Sequence, residues 1–165
     1  MALSMYQASV PVYIKLLGGL ADCLKKAAAH YAEKKWDEGS LLNYRLFPDM
    51  FHFVKQVQEA TNHARSVVRL AGQEPTKVEE NEKSLAELIA RVEATAEYMK
   101  TLKPEQIDGS EEKKITLTRR DVSVDYTGTS FLLTRALPNF HFHCTTAYNI
   151  LRHNGVAVGK RDYLG

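Results

Sequence analysis

Long apolar runs are absent from this sequence, and none approaches the roughly 20 residues that a membrane-spanning helix needs. Cysteine is scarce as well. Cys23 and Cys144 fall inside predicted helices and are interpreted as two small buried hydrophobic residues, which suits a reducing compartment. The N-terminal residues lack the basic start of a secretory signal. We therefore expect a cytoplasmic protein that does not cross a membrane.

An excess of charge of one sign is also missing, since 22 basic and 20 acidic side chains leave a net charge of +2. This balance argues against binding to nucleic acid or to an anionic membrane surface. No Gly-rich phosphate loop, His-Glu-x-x-His motif or Cys-x-x-Cys pair occurs. What is present is typical of a globular chain, with 165 residues of which 44% are hydrophobic. The composition favours one domain spanning residues 1–165.

Apolar residues at helical spacing predict the first two long helices. The first runs from near Ser4 to near Lys34, with Pro11 indicating either a kink or a later start. The second begins near Pro48, a residue suited to a first helical turn, and ends at about Gly72.

The third helix follows a short linker and carries apolar residues from Leu85 to Met99, ending before Pro104. Thr76 and Glu79 have the spacing of a capping box at its start. The charged residues Glu87, Arg91 and Glu97 are interpreted as a solvent-exposed face of this helix.

The pattern then changes to alternation, which predicts a β-hairpin from residues 115–117 and 122–126. A fourth helix begins around Thr129 or Ser130, bends at Pro138 and ends at Asn154-Gly155. The predicted fold is therefore all-α, an antiparallel four-helix bundle with a small β-hairpin between helices three and four.

Bundles can hold a metal between His and carboxylate side chains of facing helices, so the direction of each histidine matters. On a helical wheel His143 faces the interior or its margin, whereas His52 and His63 lie more than about 100° from the apolar centre of helix two. Asp49 lies closer to the inward edge, and Gln56 lies at the margin. The strongest inward polar set is His143 with Asp49, joined by Gln56, Asn139 or His141. Two interpretations stay open for His143: a hydrogen-bonded core residue, or a ligand or catalytic group.

Polar side chains also gather at the end of the fourth helix, where Tyr148, Arg152, His153 and Asn154 lie close together in sequence. They cap the last carbonyl groups, or alternatively Arg152 and His153 bind a substrate anion.

Three segments resemble an uncharacterised bacterial family within the DinB/YfiT-like superfamily: the opening MYQASVPVYIKLLGGL, the middle RLFPDMFHFVKQVQEAT and the closing LPNFHFHCTTAYNILRHNGVAVGKRDYLG. The resemblance implies a homodimeric DinB-type bundle. It also implies a divalent metal held by three histidines, one from the second helix and a His-x-x-x-His pair from the fourth. Some members of the superfamily are thiol-dependent transferases or isomerases.

This chain departs from that pattern, because His143 matches the first histidine of the pair but Ala147 stands four residues later. His52 faces the wrong way on the wheel, which leaves Asp49 as the better-placed residue on helix two. We therefore expect a degenerate metal site with well under one equivalent of bound metal, its weak candidate ligands being His143, Asp49 and His52.

The expected function is binding of a small molecule in the bundle cleft. Its candidate residues are Asp49, Gln56, Asn139, His143, Tyr148, Arg152 and His153. The alternative is a metal- or thiol-cofactor-dependent transferase or isomerase, so the sequence leaves open whether the protein is an enzyme.

Overall fold

The computed structural model describes residues 3–165, and these form eight α-helices and one two-stranded sheet. The helices are α1 (Val10–Lys34), α2 (Glu38–Leu42), α3 (Phe53–Arg65), α4 (Leu85–Lys100), α5 (Pro104–Ile107), α6 (Gly128–Phe131), α7 (Leu137–His153) and α8 (Lys160–Leu164). The strands are β1 (Ile115–Arg119) and β2 (Val122–Tyr126). A 3-10 segment, Ser66–Ala71, continues α3, and a π-helical segment, Leu132–Ala136, joins α6 to α7.

The four long helices form the predicted bundle. α1 packs along α4 and α3 packs along α7, while contacts of α3 with α4 and of α1 with α7 close the bundle. The largest fully buried side chains come from every long helix and include Tyr13, Leu17, Phe53, Leu88 and Phe140. The Tyr13 and Phe140 rings meet edge-on, with centroids 4.8 Å apart. The expected all-α four-helix bundle is confirmed.

The ends of the first two long helices follow local sequence signals, with one exception. α1 takes the later of the two predicted starts, with Pro11 in its first turn. Gly72 caps the 3-10 continuation of α3 in the left-handed region, at φ 77°, as expected of a C-terminal glycine. The start near Pro48 is wrong because Pro48 lies in a turn and α3 begins only at Phe53.

The chain between residues 72 and 84 is not helical, so the capping box expected at Thr76 and Glu79 does not form. Ser84 is the N-cap of α4 instead, and its hydroxyl accepts a hydrogen bond from the Glu87 backbone N–H at 3.2 Å. This later cap sets the start of α4 at Leu85 and leaves residues 72–84 free to run across the face of the bundle.

The 72–84 segment covers Arg91, which the sequence placed on the exposed face of the third helix. That placement is wrong, since Arg91 is only 6% exposed. Its guanidinium donates to the Glu79 carbonyl, the Glu82 carboxylate and the Thr61 hydroxyl, each at 2.7 Å, and to the Asn62 side chain at 2.9 Å. Glu79 and Glu82 belong to the 72–84 segment, whereas Thr61 and Asn62 belong to α3. Arg91, which lies on α4, therefore joins the 72–84 segment to α3 and α4.

The predicted hairpin is confirmed, with β1 antiparallel to β2 and Arg119 paired with Val122. Its two turn residues, Arg120 and Asp121, have φ values of 47° and 65°. Positive φ at both positions is the geometry of the tight turn that Asn-Gly pairs usually adopt.

The fourth long helix changes its winding before Pro138. In the π-helical segment the Leu137 N–H bonds to the Leu132 carbonyl, five residues back. Pro138 has no N–H, and its ring crowds the preceding turn, so a local change in winding relieves the conflict. The helix ends at His153, and Asn154 with Gly155 at φ 84° forms the expected C-terminal cap.

The last helix, α8, packs closely on α1. A Cβ atom at Gly19 would lie 2.4 Å from the Tyr163 carbonyl oxygen, so only glycine allows this approach. Lys26 and Asp162 form an ion pair at 2.7 Å across the same contact. No helix within residues 3–165 is long and apolar enough to cross a bilayer. Both cysteines carry free, buried thiols.

Candidate metal centre

Three side chains that can bind a metal converge where α3 packs along α7. Glu59 and His63 lie one turn apart on α3, and His143 faces them from α7. One donor atom from each lies within 4.8 Å of the other two. Residues four apart on a helix share a face, so a single contact between two helices brings all three donors together.

Gln56 determines which nitrogen of the neutral His143 ring carries the proton. The Gln56 amide nitrogen donates to the Phe51 carbonyl oxygen at 3.1 Å, which turns the amide oxygen towards His143. That oxygen lies 2.7 Å from His143 Nδ1 and can only accept, so Nδ1 carries the proton. The lone pair of neutral His143 is therefore on Nε2. An outer partner that fixes the tautomer in this way is usual for metal-binding histidines.

Lys55 orients the Glu59 carboxylate, as Gln56 orients the His143 ring. Its ammonium group lies 2.7 Å from one carboxylate oxygen of Glu59 and 2.7 Å from Glu80 in the 72–84 segment. The second carboxylate oxygen of Glu59 lies 3.8 Å from His63 Nε2. One oxygen of Glu59 is thus held by Lys55, and the other faces the histidine pair.

Aromatic rings flank the His143 imidazole. The His63 and His143 rings stack with centroids 5.5 Å apart and an interplanar angle of 12°. Phe51 stacks beyond His143 at 6.3 Å, and Phe142 meets its edge at 5.2 Å. His143 is 7% exposed, whereas the His63 side chain keeps 18% of its surface in contact with solvent. Solvent therefore reaches the centre from the His63 side.

Burial makes both histidines weak bases. Desolvation, together with the nearby His143 and Arg135, lowers the pKa of His63 to about 4, although Glu59 acts in the opposite direction. Desolvation also lowers the pKa of His143 below its usual value. Both imidazoles are therefore neutral at pH 7, the form in which histidine binds metals.

The sequence-predicted set is only partly brought together at this centre. His143 and Gln56 meet as expected, but Asp49 lies in an exposed turn before α3 and His52 is the N-cap residue of that helix. The outward placement of His63 is wrong. The reason is that α3 packs against both α4 and α7. The part of its surface that faces other helices is therefore wider than its apolar stripe. Gln56, Glu59 and His63 line the edge of that surface towards α7.

The remaining candidates lie apart from the three donors. Asn139 donates to the Arg135 carbonyl at 2.6 Å, and the Tyr148 ring packs against Tyr163 at 5.9 Å. Arg152 and His153 are exposed at the end of α7, where the His153 ring lies 5.6 Å from that of Tyr44. His141 lies near the Tyr163 hydroxyl, at 3.4 Å.

A recess of about 180 Å³ adjoins the centre, with His63 in its wall. Arg69 and Arg135 line it together with Leu117, and the buried Phe131 lies next to it. A larger open recess of about 440 Å³ lies between the 72–84 segment and α4, but none of the three donors lines it. The smaller recess is therefore the one that a ligand at the metal centre would share.

The donor set suits a transition metal ion. Two imidazole nitrogens and one carboxylate oxygen form one of the three-ligand sets found in catalytic zinc sites. Metal–ligand bonds of about 2.0–2.2 Å in tetrahedral geometry place donors about 3.4 Å apart. Donors that already lie within 4.8 Å of one another reach this spacing through small side-chain movements.

Comparisons with known proteins agree with this arrangement of helices. The family described as a domain of unknown function, DUF1993, matches residues 5–164. A DinB family member protein from Shewanella denitrificans, known from its crystal structure, is 38% identical to the chain. The match covers 97% of this chain and 91% of that protein, with a TM-score of 0.88. No curated protein matches the sequence. The chain therefore belongs to the DUF1993 family of DinB-like helical bundles.

Proposed function

We propose that this protein binds one divalent transition metal ion, zinc being the reference case, through Glu59, His63 and His143. The convergence of these three donors supports the proposal most strongly. Two details strengthen it. Gln56 leaves the Nε2 lone pair of His143 free, and both imidazoles are neutral at pH 7. The sequence predicted a degenerate site because Ala147 stands where a second histidine of the fourth helix would be. That prediction did not take Glu59 and His63 on α3 into account as donors.

Three protein ligands leave a coordination position for water or a substrate, which is the feature that separates catalytic from structural zinc sites. When bound, the ion would supply Lewis-acid chemistry. The chain's own residues prepare the position. Lys55 orients Glu59, Gln56 orients His143, and Phe51 and Phe142 limit the access of water. Solvent and ligands would enter on the less buried side, beside His63.

Zinc titration by calorimetry tests the proposal, with protein that carries no His-tag. We expect one equivalent to bind at pH 7. The variants E59Q, H63A and H143A should each weaken binding by at least about 100-fold, more than the loss of an outer partner usually causes. The matched control is H153A, because His153 is an exposed histidine at the far end of α7. Equal affinity in H63A and H153A would refute the site.

Further expectations stay predictions. The homodimer would be tested by sedimentation equilibrium, and the cytoplasmic location by fractionation of the source cells.

A thiol-cofactor-dependent transferase or isomerase activity is the second candidate function. Its test is whether a small thiol shifts the visible spectrum of the cobalt-loaded protein, and no shift in the presence of excess thiol would count against it.

A further inference from the structure

Arg135 has no acidic partner among the residues that the structure describes. It lies in the π-helical segment between α6 and α7 and is half-buried. Within residues 3–165 its guanidinium forms no ion pair and donates no hydrogen bond, and only its backbone carbonyl is engaged, by Asn139. Arg91, by contrast, is surrounded by acceptors. No nitrogen of Arg135 is among the buried polar atoms without a hydrogen-bond partner, so water reaches the guanidinium, and a carboxylate can replace that water with a charge-assisted hydrogen bond.

The surroundings of Arg135 form a recess that favours an anion. Arg69 lines the same space and forms an ion pair with Glu74, whose side chain is 77% exposed. Arg69 therefore already has a carboxylate against its guanidinium. No carboxylate lines the recess. Two arginines therefore line a space of about 180 Å³, and of the two only Arg135 has no acidic partner within residues 3–165.

The other residues that line the recess restrict the uncharged part of an anionic ligand. Leu117 from β1 contributes apolar surface, whereas Phe131 from α6 is only 1% exposed and offers little surface to a ligand. The polar neighbours are already engaged, since the Ser66 hydroxyl donates to the His63 carbonyl at 2.6 Å and both ends of the Asn62 amide are bonded. At about 30 Å³ per water molecule, the recess holds the volume of about six waters. This volume suits a small ligand with a compact apolar body.

We propose that this recess binds the carboxylate of a small organic acid with a compact apolar body, with Arg135 as its principal charge partner. A guanidinium is matched to a carboxylate because its N–H groups can donate two parallel hydrogen bonds. The apolar part of the acid packs on Leu117. Because His63 belongs to both sites, the bound acid lies beside the metal centre. Its role as a substrate rests on the proposed function, whereas binding to the metal-free protein does not.

The test uses benzoate as the probe and benzyl alcohol as its neutral counterpart of similar shape, titrated into metal-free protein at low salt. NMR of the wild-type protein should show that benzoate shifts the His63 ring signals and leaves those of His153 unchanged. The variant R135Q should weaken benzoate binding by about tenfold or more, as loss of a charge-assisted hydrogen bond predicts. The matched control R161Q removes an exposed arginine of α8 and should bind as the wild type does.

Several results would overturn the proposal: benzyl alcohol binding as well as benzoate, equal losses in R135Q and R161Q, or no change at the His63 ring. Inorganic phosphate binding more tightly than benzoate would also overturn it, because the apolar wall would then contribute nothing. The zinc titration separates the two proposals. If benzoate binds through Arg135 but zinc does not bind, the recess stands and the metal site fails. If zinc binds and benzoate does not, the reverse holds.

Discussion

Replacing Gln56 by methionine removes the acceptor that holds the His143 ring while nearly preserving the side-chain volume. Gln56 is 1% exposed, so no water replaces its amide. The variant leaves the His143 Nδ1–H unpaired in a buried position and removes the hydrogen bond to the Phe51 carbonyl. An unsatisfied buried donor costs about 1–3 kcal/mol. For a chain of this length, a loss of about 2 kcal/mol corresponds to a fall in Tm of roughly 4–8 °C.

The same variant should also weaken zinc binding, by about 10- to 100-fold, because the ring loses the partner that fixes its tautomer and orientation. Stability alone cannot produce this effect, and two further variants show the difference. Q58M removes a similarly buried glutamine of α3 that bonds to Glu82 at 2.8 Å, away from the donors. Q58M should lose stability but keep its zinc affinity.

The variant Q56E completes the comparison. It keeps an acceptor for His143 Nδ1–H but places a carboxylate against the Phe51 carbonyl oxygen. Q56E should therefore lose stability and retain zinc affinity within about threefold of the wild type, less than the tenfold loss of a missing outer partner. Thermal melts and calorimetry measure both quantities. The reasoning is refuted if Q56M binds zinc as tightly as the wild type, or if Q58M loses affinity to the same extent.

Three further predictions concern the fold and its pH dependence. G19A should release α8 from α1 and expose it to proteolysis, whereas G18A, with no atom near the added methyl group, should stabilise α1 by up to about 1 kcal/mol. R91M leaves Glu82 buried without its cation and should cost about 3–5 kcal/mol in urea denaturation, and a loss below about 1 kcal/mol would contradict the described network. The pKa of His63 is about 4 in the folded chain and 6.5 in the unfolded chain. Between pH 4 and 6.5, therefore, the His63 ring is mostly protonated in the unfolded chain and mostly neutral in the folded chain. The unfolding free energy of metal-free protein should therefore fall by about 3 kcal/mol as pH is lowered from 6.5 to 4, and H63Q should remove that part of the slope.

Local signals in the sequence were sufficient for most of the fold. Helical periodicity located the four long helices, and Gly72 and Gly155 marked two of their ends. Alternation located the hairpin, although its Arg120-Asp121 turn lacks the usual residues. The start of α3 was misplaced because Pro48 suits a tight turn as well as a first helical turn.

The centre was harder to predict because a helical wheel describes one helix and the centre depends on two. His143 was correctly placed inward, but His63 was placed outward because it lies away from the apolar centre of α3, and Glu59 was not considered. One signal was available: Gln56, Glu59 and His63, spaced by three and four residues, form a polar stripe on one edge of the helix. Which helix packs along that edge is a property of the tertiary structure.

Arg135 gave no comparable signal. The π-helical segment shifts the phase of the fourth long helix, so the wheel of α7 cannot be extended back to Arg135. Its position beside His63 also depends on the packing of the hairpin, which supplies Leu117 to the same recess.

The most direct test of the metal centre is anomalous X-ray diffraction from crystals of the protein loaded with one equivalent of zinc. We expect a single strong peak about 2.0–2.2 Å from one oxygen of Glu59, one ring nitrogen of His63 and Nε2 of His143. The Gln56 oxygen should remain bonded to Nδ1 of that ring. A peak at His52, His153 or another surface residue, with none between α3 and α7, would contradict the proposed metal centre.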